Sequence, residues 1–519
     1  MPEKFTGEWT FQRAAHLMRR TTFGPRKSTI MEALDLGLDA SIDKLLSTPD
    51  PVDLPVYLDF EDDPQAGIGE TWVNLPLDES IQGIFFGRGK TLYGWFYNNC
   101  HKENFNIVNK LSLFWHNHFA ISDDIGPQMS WDYLNLLREF SLGNFREFTK
   151  KMTINKAMLV FLNGNENIAE EPNENYAREL LELFTIGRGP LAGEGDYTYY
   201  TEQDIAAMAR ALTGWTPWND QTEGSFRIWE HDSTEKQLSH RFDNQVIAAG
   251  QYEEEYINVV DIIFAQDQVA KHIARRLFIW FVKSDINDEV ESEVIEPLAQ
   301  IIIANDYVIR PAIRALLSSS YFYRDDIIGC MIKNPLDYLM SLVNTVEVKL
   351  SEDNVSNHRA WLLWHWNLDE LGFSIMSLPS VAGWRAYHQE PGYYRDWINS
   401  ASLSLRKKMI ATFNYLYVET DPTLQGFDFV SFLENTIENR LEVNSMIAEI
   451  CEVLFPRKLS QEHLDFFKSR LLDGLPDFEW TVEYEAFLQD PTNDKRQSIE
   501  YKLFRLFETM FSIPEFQLS

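Results

Sequence analysis

Cysteine is nearly absent from this chain. Only Cys100, Cys330 and Cys451 occur in 519 residues, and none sits in a CxxC pair. That excludes a disulfide framework and a thiolate zinc site, and it suits a reducing compartment. No run of about eighteen apolar residues is present, so a membrane span is not expected. The opening stretch MPEKFTGEWTFQRAAHLMRR lacks an apolar h-region and a small-residue cleavage site, so the expected location is cytoplasmic. Basic residues are the scarcer charge, 46 against 79 acidic ones, for a net charge of −33. A surface that negative repels phosphate backbones and anionic headgroups, which argues against nucleic acid and membrane as partners. Three enzyme signatures are missing as well: a GxSxG elbow, an HExxH helix and a GxGxxG turn between strand and helix. GRGKT at 87–91 imitates the end of a phosphate loop, but residue 84 is Ile where that loop requires Gly.

What the chain does have is apolar bulk and helical periodicity. It is 45% hydrophobic and 14% aromatic, enough for a large core. FQRAAHLMRRTTFGP carries Phe11, Ala14, Ala15 and Met18 on one stripe and stops at Gly24-Pro25. WDYLNLLREFSLGNFREFTKKM predicts two helices hinged at Gly143. TEQDIAAMARALTGW predicts one helix, capped by Thr201 and ended at Gly214. Residues 49–80, with Pro49, Pro51, Pro55 and Pro64, form an irregular excursion. The pattern predicts a mostly α, large single-core fold with a small loop or hairpin insertion near 216–250, the latter a candidate cover for a site. Residues 1–410 form the main helical domain. Residues 411–519 are expected as a helical C-terminal extension packed on the same body.

Two blocks concentrate chemistry. LSLFWHNHFA, residues 111–120, sets His116 and His118 one residue apart inside an oily run. Positions two apart on a helix lie about 200° around the axis, so a helical pair cannot share an ion. On an extended segment the same pair projects to one side and can grip one. The metal reading therefore requires the chain to unwind around residue 116, with the helix running from about Phe105 to Trp115. The bland reading is one core histidine and one surface histidine. In NENYARELLELFTIG, residues 173–187, Tyr176, Leu180, Leu183 and Phe184 form the buried arc, and Asn175, Arg178, Glu179 and Glu182 share the other side. That is a solvated polar face or, turned inward, a carboxylate clamp of the kind di-metal helical bundles use. No lysine occurs in the segment.

Other candidates are weaker. His16 lies near an apolar stripe. His231 and Asp232, in HDSTEK with Lys236 close by, fall in the insertion, where an Asp can orient an imidazole. Trp384 and Tyr387 adjoin His388, Gln389 and Glu390, a mixture that lines clefts or packs under loops.

Taken in order, AAHLMRRTTFGP, LFWHNHFA, NENYARELLELFTIG, TEQDIAAMARALTGW, HDSTEK and VAGWRAYHQEPGYYRDWINS resemble the DUF1800 family of bacterial proteins, over about residues 10–410. The family is one of unknown function. The resemblance is strongest in the two chemical blocks, which implies a shared role for His116, His118, Asn175, Arg178, Glu179 and Glu182. It further implies a sulfatase-like DUF1501 protein as a partner and, for many relatives, export. The chain departs from the family pattern at Asn109, where an acidic residue is expected, and in the loop after Asp232.

The leading expectation is thus a metal-dependent enzyme, hydrolase or oxidoreductase undecided. His116, His118, Glu179 and Glu182 would ligate a divalent transition metal such as Zn, Fe or Mn, with Arg178, His231 and Asp232 in catalytic roles. The rival is a non-catalytic scaffold or partner protein in which these blocks form a buried hydrogen-bonded network. A carbohydrate-binding module is the third reading, on the strength of fifteen tryptophans with no periodic spacing.

Overall fold

The computed structural model describes all residues except 59–62, 79, 82, 103–104, 123–124, 219–221, 352 and 420–425, and describes 414–419 by backbone alone. Parts of the expected 49–80 excursion and of the 216–250 insertion therefore lie outside the described residues.

The chain is mostly α, with helices distributed from Phe11 to Ser512. Local signals set many of the ends. Thr10 caps the helix Phe11–Thr21 by accepting from Arg13 N–H. Thr201 and Asp204 form a reciprocal capping box at the start of Glu202–Ala211. Gly214 follows that helix at φ +90°, where an added Cβ would lie 2.9 Å from the Arg227 carbonyl. The hinge at Gly143 separates Pro127–Glu139 from Phe145–Thr153.

Strands are few and short. Leu191–Gly193, Asp196–Tyr197 and Tyr200–Thr201 form a small antiparallel sheet that helical periodicity did not predict. The insertion contains two further antiparallel pairs, Trp215–Thr216 with Ser225–Phe226 and Lys236–Gln237 with Val246–Ile247. Among the described residues of 49–80, a lone bridge joins Val56 to Thr71.

One continuous apolar cluster runs from Ala14 to Phe516, so the C-terminal helices share the core of the rest. Polar bonds reinforce the join. The Arg19 guanidinium donates to Val453 O at 2.8 Å, and Arg406 donates to Lys333 O at 2.8 Å and to Gln517 Oε1 at 3.0 Å. Lys27 pairs with Glu449.

Helix Ile84–Lys102 crosses helix Asn354–Glu370 very closely at Gly94, where an added Cβ would lie 2.6 Å from His358 O. Gly94→Ala is therefore expected to destabilise the protein by about 1–3 kcal/mol through overpacking. Gly89→Ala, on the same helix with nothing within 4 Å, is the control and should be neutral or stabilising. Urea unfolding of the two variants checks this; equal losses would remove the packing explanation.

Candidate functional site

The HNH block lies inside a continuous helix, Val108–His118. The chain does not unwind at residue 116, which corrects the condition on which shared ligation by His116 and His118 rested. A regular helix turns the two imidazoles to different sides, and they bond different partners. The aromatic run explains why the helix persists: Trp115 and Phe119 are fully buried, Trp115 stacked on Phe145 and Phe119 edge-on to Phe148.

Each residue of the triplet holds a separate segment. His116 Nε2 accepts the Met376 backbone N–H at 2.8 Å, so it carries the lone pair. Nδ1 must then carry the proton, and it donates to Tyr133 Oη at 2.8 Å, which in turn donates to Phe119 O at 2.6 Å. Every proton in this chain is assigned, and no lone pair on His116 is left for a metal. Burial holds the ring neutral, with its pKa down at about 3. Asn117 Oδ1 accepts from Trp384 N–H at 2.9 Å, and Gly383 packs so closely that a Cβ would lie 2.4 Å from Asn117 O. Trp384 and Tyr387 are themselves buried, Trp384 stacked on Phe373, so this block packs beneath its loop. His118 Nε2 donates to Phe184 O at 3.0 Å, and its buried Nδ1 has no hydrogen-bond partner among the described residues.

The acceptor for His118 exists because of how the second block folds. Asn175–Glu179 is α-helical, but Leu180–Thr185 widens into a π-turn, with Ile186 N–H reaching back to Leu181 O. The carbonyls of Leu183 and Phe184 face side chains: His272 Nε2 donates to Leu183 O at 3.0 Å as His118 does to Phe184 O. Burial and the Arg276 guanidinium keep both rings neutral, His272 at about 3. The two histidines thus brace the end of this helix.

The acids of that block face partly outward. Tyr176, Leu180 and Phe184 are buried as the wheel predicts, while Leu183, Arg178, Glu179 and Glu182 are half-buried. Arg178 spends its guanidinium on protein carboxylates, Glu202 at 2.8 and 2.9 Å and Glu174 at 3.0 Å, which raises its pKa and lowers that of Glu202. Glu182 accepts from Tyr200 Oη at 3.2 Å and lies 3.8 Å from Arg188. Partial burial and the neighbouring Glu182 raise the Glu179 pKa. Among the described residues, no three His, Cys, Asp or Glu side chains gather as a metal group.

His231 and Asp232 belong to a third network. His231 Nδ1 donates to Thr213 O at 3.0 Å, and Nε2 lies 3.3 Å from Glu255 Oε1. The other Glu255 oxygen meets the Lys236 ammonium, and the side chains of all three residues are fully buried. Asp232 pairs with Arg210 at 2.6 Å and accepts from Thr234, which depresses its pKa well below the carboxylate range. The insertion closes over this network: Ser239 binds Asp204, the capping residue of the preceding helix, through both its N–H and its hydroxyl at 2.7 Å.

Tyr133, His272 and Glu255 escaped sequence reasoning. His272 sits among basic residues with no partner nearby in sequence, and Glu255 ends a run of three acids indistinguishable from a solvated surface. His16 is a buried core group whose Nε2 bonds Phe322 O at 3.0 Å.

Comparison with known proteins adds a family and no activity. The family model described as Protein of unknown function (DUF1800) matches residues 16–518, well past residue 410, the expected end of the resemblance. No curated protein and no solved structure matches the chain.

Proposed function

Starting from a chain that belongs to the DUF1800 family, we propose that it is a non-catalytic partner protein whose histidine blocks are internal fasteners and whose insertion carries the binding surface. The observation that supports this most is the closed proton chain Met376–His116–Tyr133–Phe119, which leaves His116 nothing to offer a metal or a substrate. Arg178 and Asp232 are likewise engaged, by protein carboxylates and a guanidinium respectively, and His231 gives its Nδ1–H to Thr213 O. The insertion turns two tryptophans outward: Trp218 is 63% exposed and Trp229 74%, with Ile228 beside it. Tryptophans combine large area with few rotors and dominate interface energetics. The partner that the family resemblance implies is a DUF1501-like protein.

The test is co-purification with a DUF1501-like protein, then titration of the isolated pair. Trp218→Ser/Trp229→Ser is expected to weaken binding at least about tenfold with an unchanged melting temperature. Absence of binding by the unaltered chain, or equal binding by the double variant, overturns the reading.

A metal-dependent hydrolase or oxidoreductase is the second reading, and one observation favours it. With Nε2–H held by a backbone carbonyl, His118 presents its Nδ1 lone pair, the arrangement metal-bound imidazoles use. The four-residue set His116, His118, Glu179 and Glu182 does not fit a shared ion, since His116 has no free lone pair. Metal analysis after reconstitution separates the readings. Stoichiometric transition metal lost in His118→Ala and kept in Trp218→Ser/Trp229→Ser supports the enzyme; no stoichiometric metal in the unaltered chain supports the partner protein.

A further inference from the structure

Far from these blocks in sequence, the helix Ser400–Glu419 and the last residues of the chain enclose a pocket of about 480 Å³. Its walls are apolar, including Ile332, Ile398, Leu403, Phe511 and Leu518. Its charged lining residues are Arg406 and Lys407, and no Asp or Glu lines it among the described residues. In a chain with a net charge of −33, a pocket whose described charged residues are both cations is against the trend.

Arg406 is the unusual member. It is 1% exposed, lies over the Tyr338 ring at 4.8 Å, and uses its two terminal nitrogens on Gln517 and Lys333 O. Its Nε, however, is buried without a hydrogen-bond partner among the described residues. A second buried cation stands behind it: the Lys333 ammonium rests on the Phe516 ring at 4.0 Å. Among the described residues the acid that acts on both, Asp337, is occupied by Lys110 and Asn334. Burial lowers the pKa of Arg406 to about 10 and that of Lys333 further below its usual value, the signature of charge lacking an anion. An unpaired buried donor on a guanidinium is costly, and a carboxylate oxygen would satisfy it.

We propose that this pocket binds an apolar monocarboxylate of medium chain length, its hydrocarbon against Ile398, Leu403 and Phe511 and its carboxylate on Arg406 Nε, with Lys407 at the mouth. The volume falls in the range of small-molecule sites, and the lining matches such a ligand in kind: mostly apolar, with a single focus of charge. Neither the partner reading nor the metal reading bears on it.

Calorimetric titration of the full chain with decanoate, decanol and decyltrimethylammonium, each below its micellar concentration, tests this. Decanoate is expected to bind at least tenfold more tightly than decanol, and the cation not to bind. Leu403→Trp fills the pocket from a residue that is 45% exposed, so folding should be unaffected; it is expected to reduce decanoate affinity at least tenfold. Arg406→Met, accepted only where its melting curve shows a folded chain, should remove the preference for decanoate over decanol. Equal affinities for decanoate and decanol in the unaltered chain, or decanoate binding unchanged in Leu403→Trp, overturns the proposal.

Discussion

Replacing Glu255 by Ala is expected to destabilise the protein by about 3–5 kcal/mol, among the largest effects of any single substitution here. The reason is charge left behind. Glu255 is the carboxylate that meets both the Lys236 ammonium and the His231 ring, and none of the three side chains is exposed. Removing the acid leaves an ammonium in a low-dielectric interior with only the Asp232 carbonyl for company. Lys236→Met should be comparably harmful, since it strands the carboxylate. The double variant Lys236→Met/Glu255→Leu removes both charges and is expected to lose clearly less than the sum of the two singles. Urea unfolding of the four proteins gives the coupling directly. Additive losses would mean that the pair does not act as a unit. The insertion hangs on this network, so the singles should also expose residues 225–250 to limited proteolysis before global unfolding.

Acid should begin to destabilise the protein well above the range where carboxylates titrate. His16, His116, His118, His358 and His365 are buried and His101 and His272 half-buried, and removal from water lowers the pKa of each. Values fall to about 3 for His116 and His272 and about 4 for His101, His358 and His365, from an ordinary 6.5. The unfolded chain takes up these protons as pH drops through 6.5, while the folded chain refuses them until near 4. Their stabilisation is therefore complete above pH 6.5 and is lost as pH falls toward 4, at about 1.4 kcal/mol per pH unit for each proton. Three acids oppose the trend. Asp132, raised by burial to about 6, and Glu179 and Glu500, also raised, hold protons in the folded state that the unfolded chain releases. The net slope is expected to be on the order of 5 kcal/mol per pH unit between pH 6 and 5. Against a typical stability of about 5–15 kcal/mol, that unfolds the chain before pH 4 is reached. Urea midpoints at pH 7.5, 6.5 and 5.5 measure it; a flat profile across that range would contradict the neutral, buried histidines.

The helical body was legible because its signals are local. Thr201 with Asp204, Gly143 and Gly214 act within a few residues of where they stand, and the apolar stripe of Tyr176, Leu180 and Phe184 needs only a helical repeat. The block LFWHNHFA was legible as a place of importance, but its role was not. His116 finds Tyr133 and Met376, Asn117 finds Trp384, and His118 finds Phe184. Those partners are as much as 267 positions away, and nothing about HxH spacing distinguishes an imidazole that binds an ion from one that accepts a backbone N–H. The π-turn at Leu180–Thr185 was equally hidden, since its residues read as ordinary helix formers.

From its residues alone this chain determined a helical class, helix ends, a family and the segments where polar groups enter the core. Those follow from propensity, capping and periodicity, which act over a few ångströms of contour. Only the tertiary structure decided which proton lies on which ring nitrogen, which acid faces Lys236, and that Arg406 opens on an apolar pocket. Such facts depend on which distant groups share a low-dielectric space, and burial, rather than spacing, sets their charge.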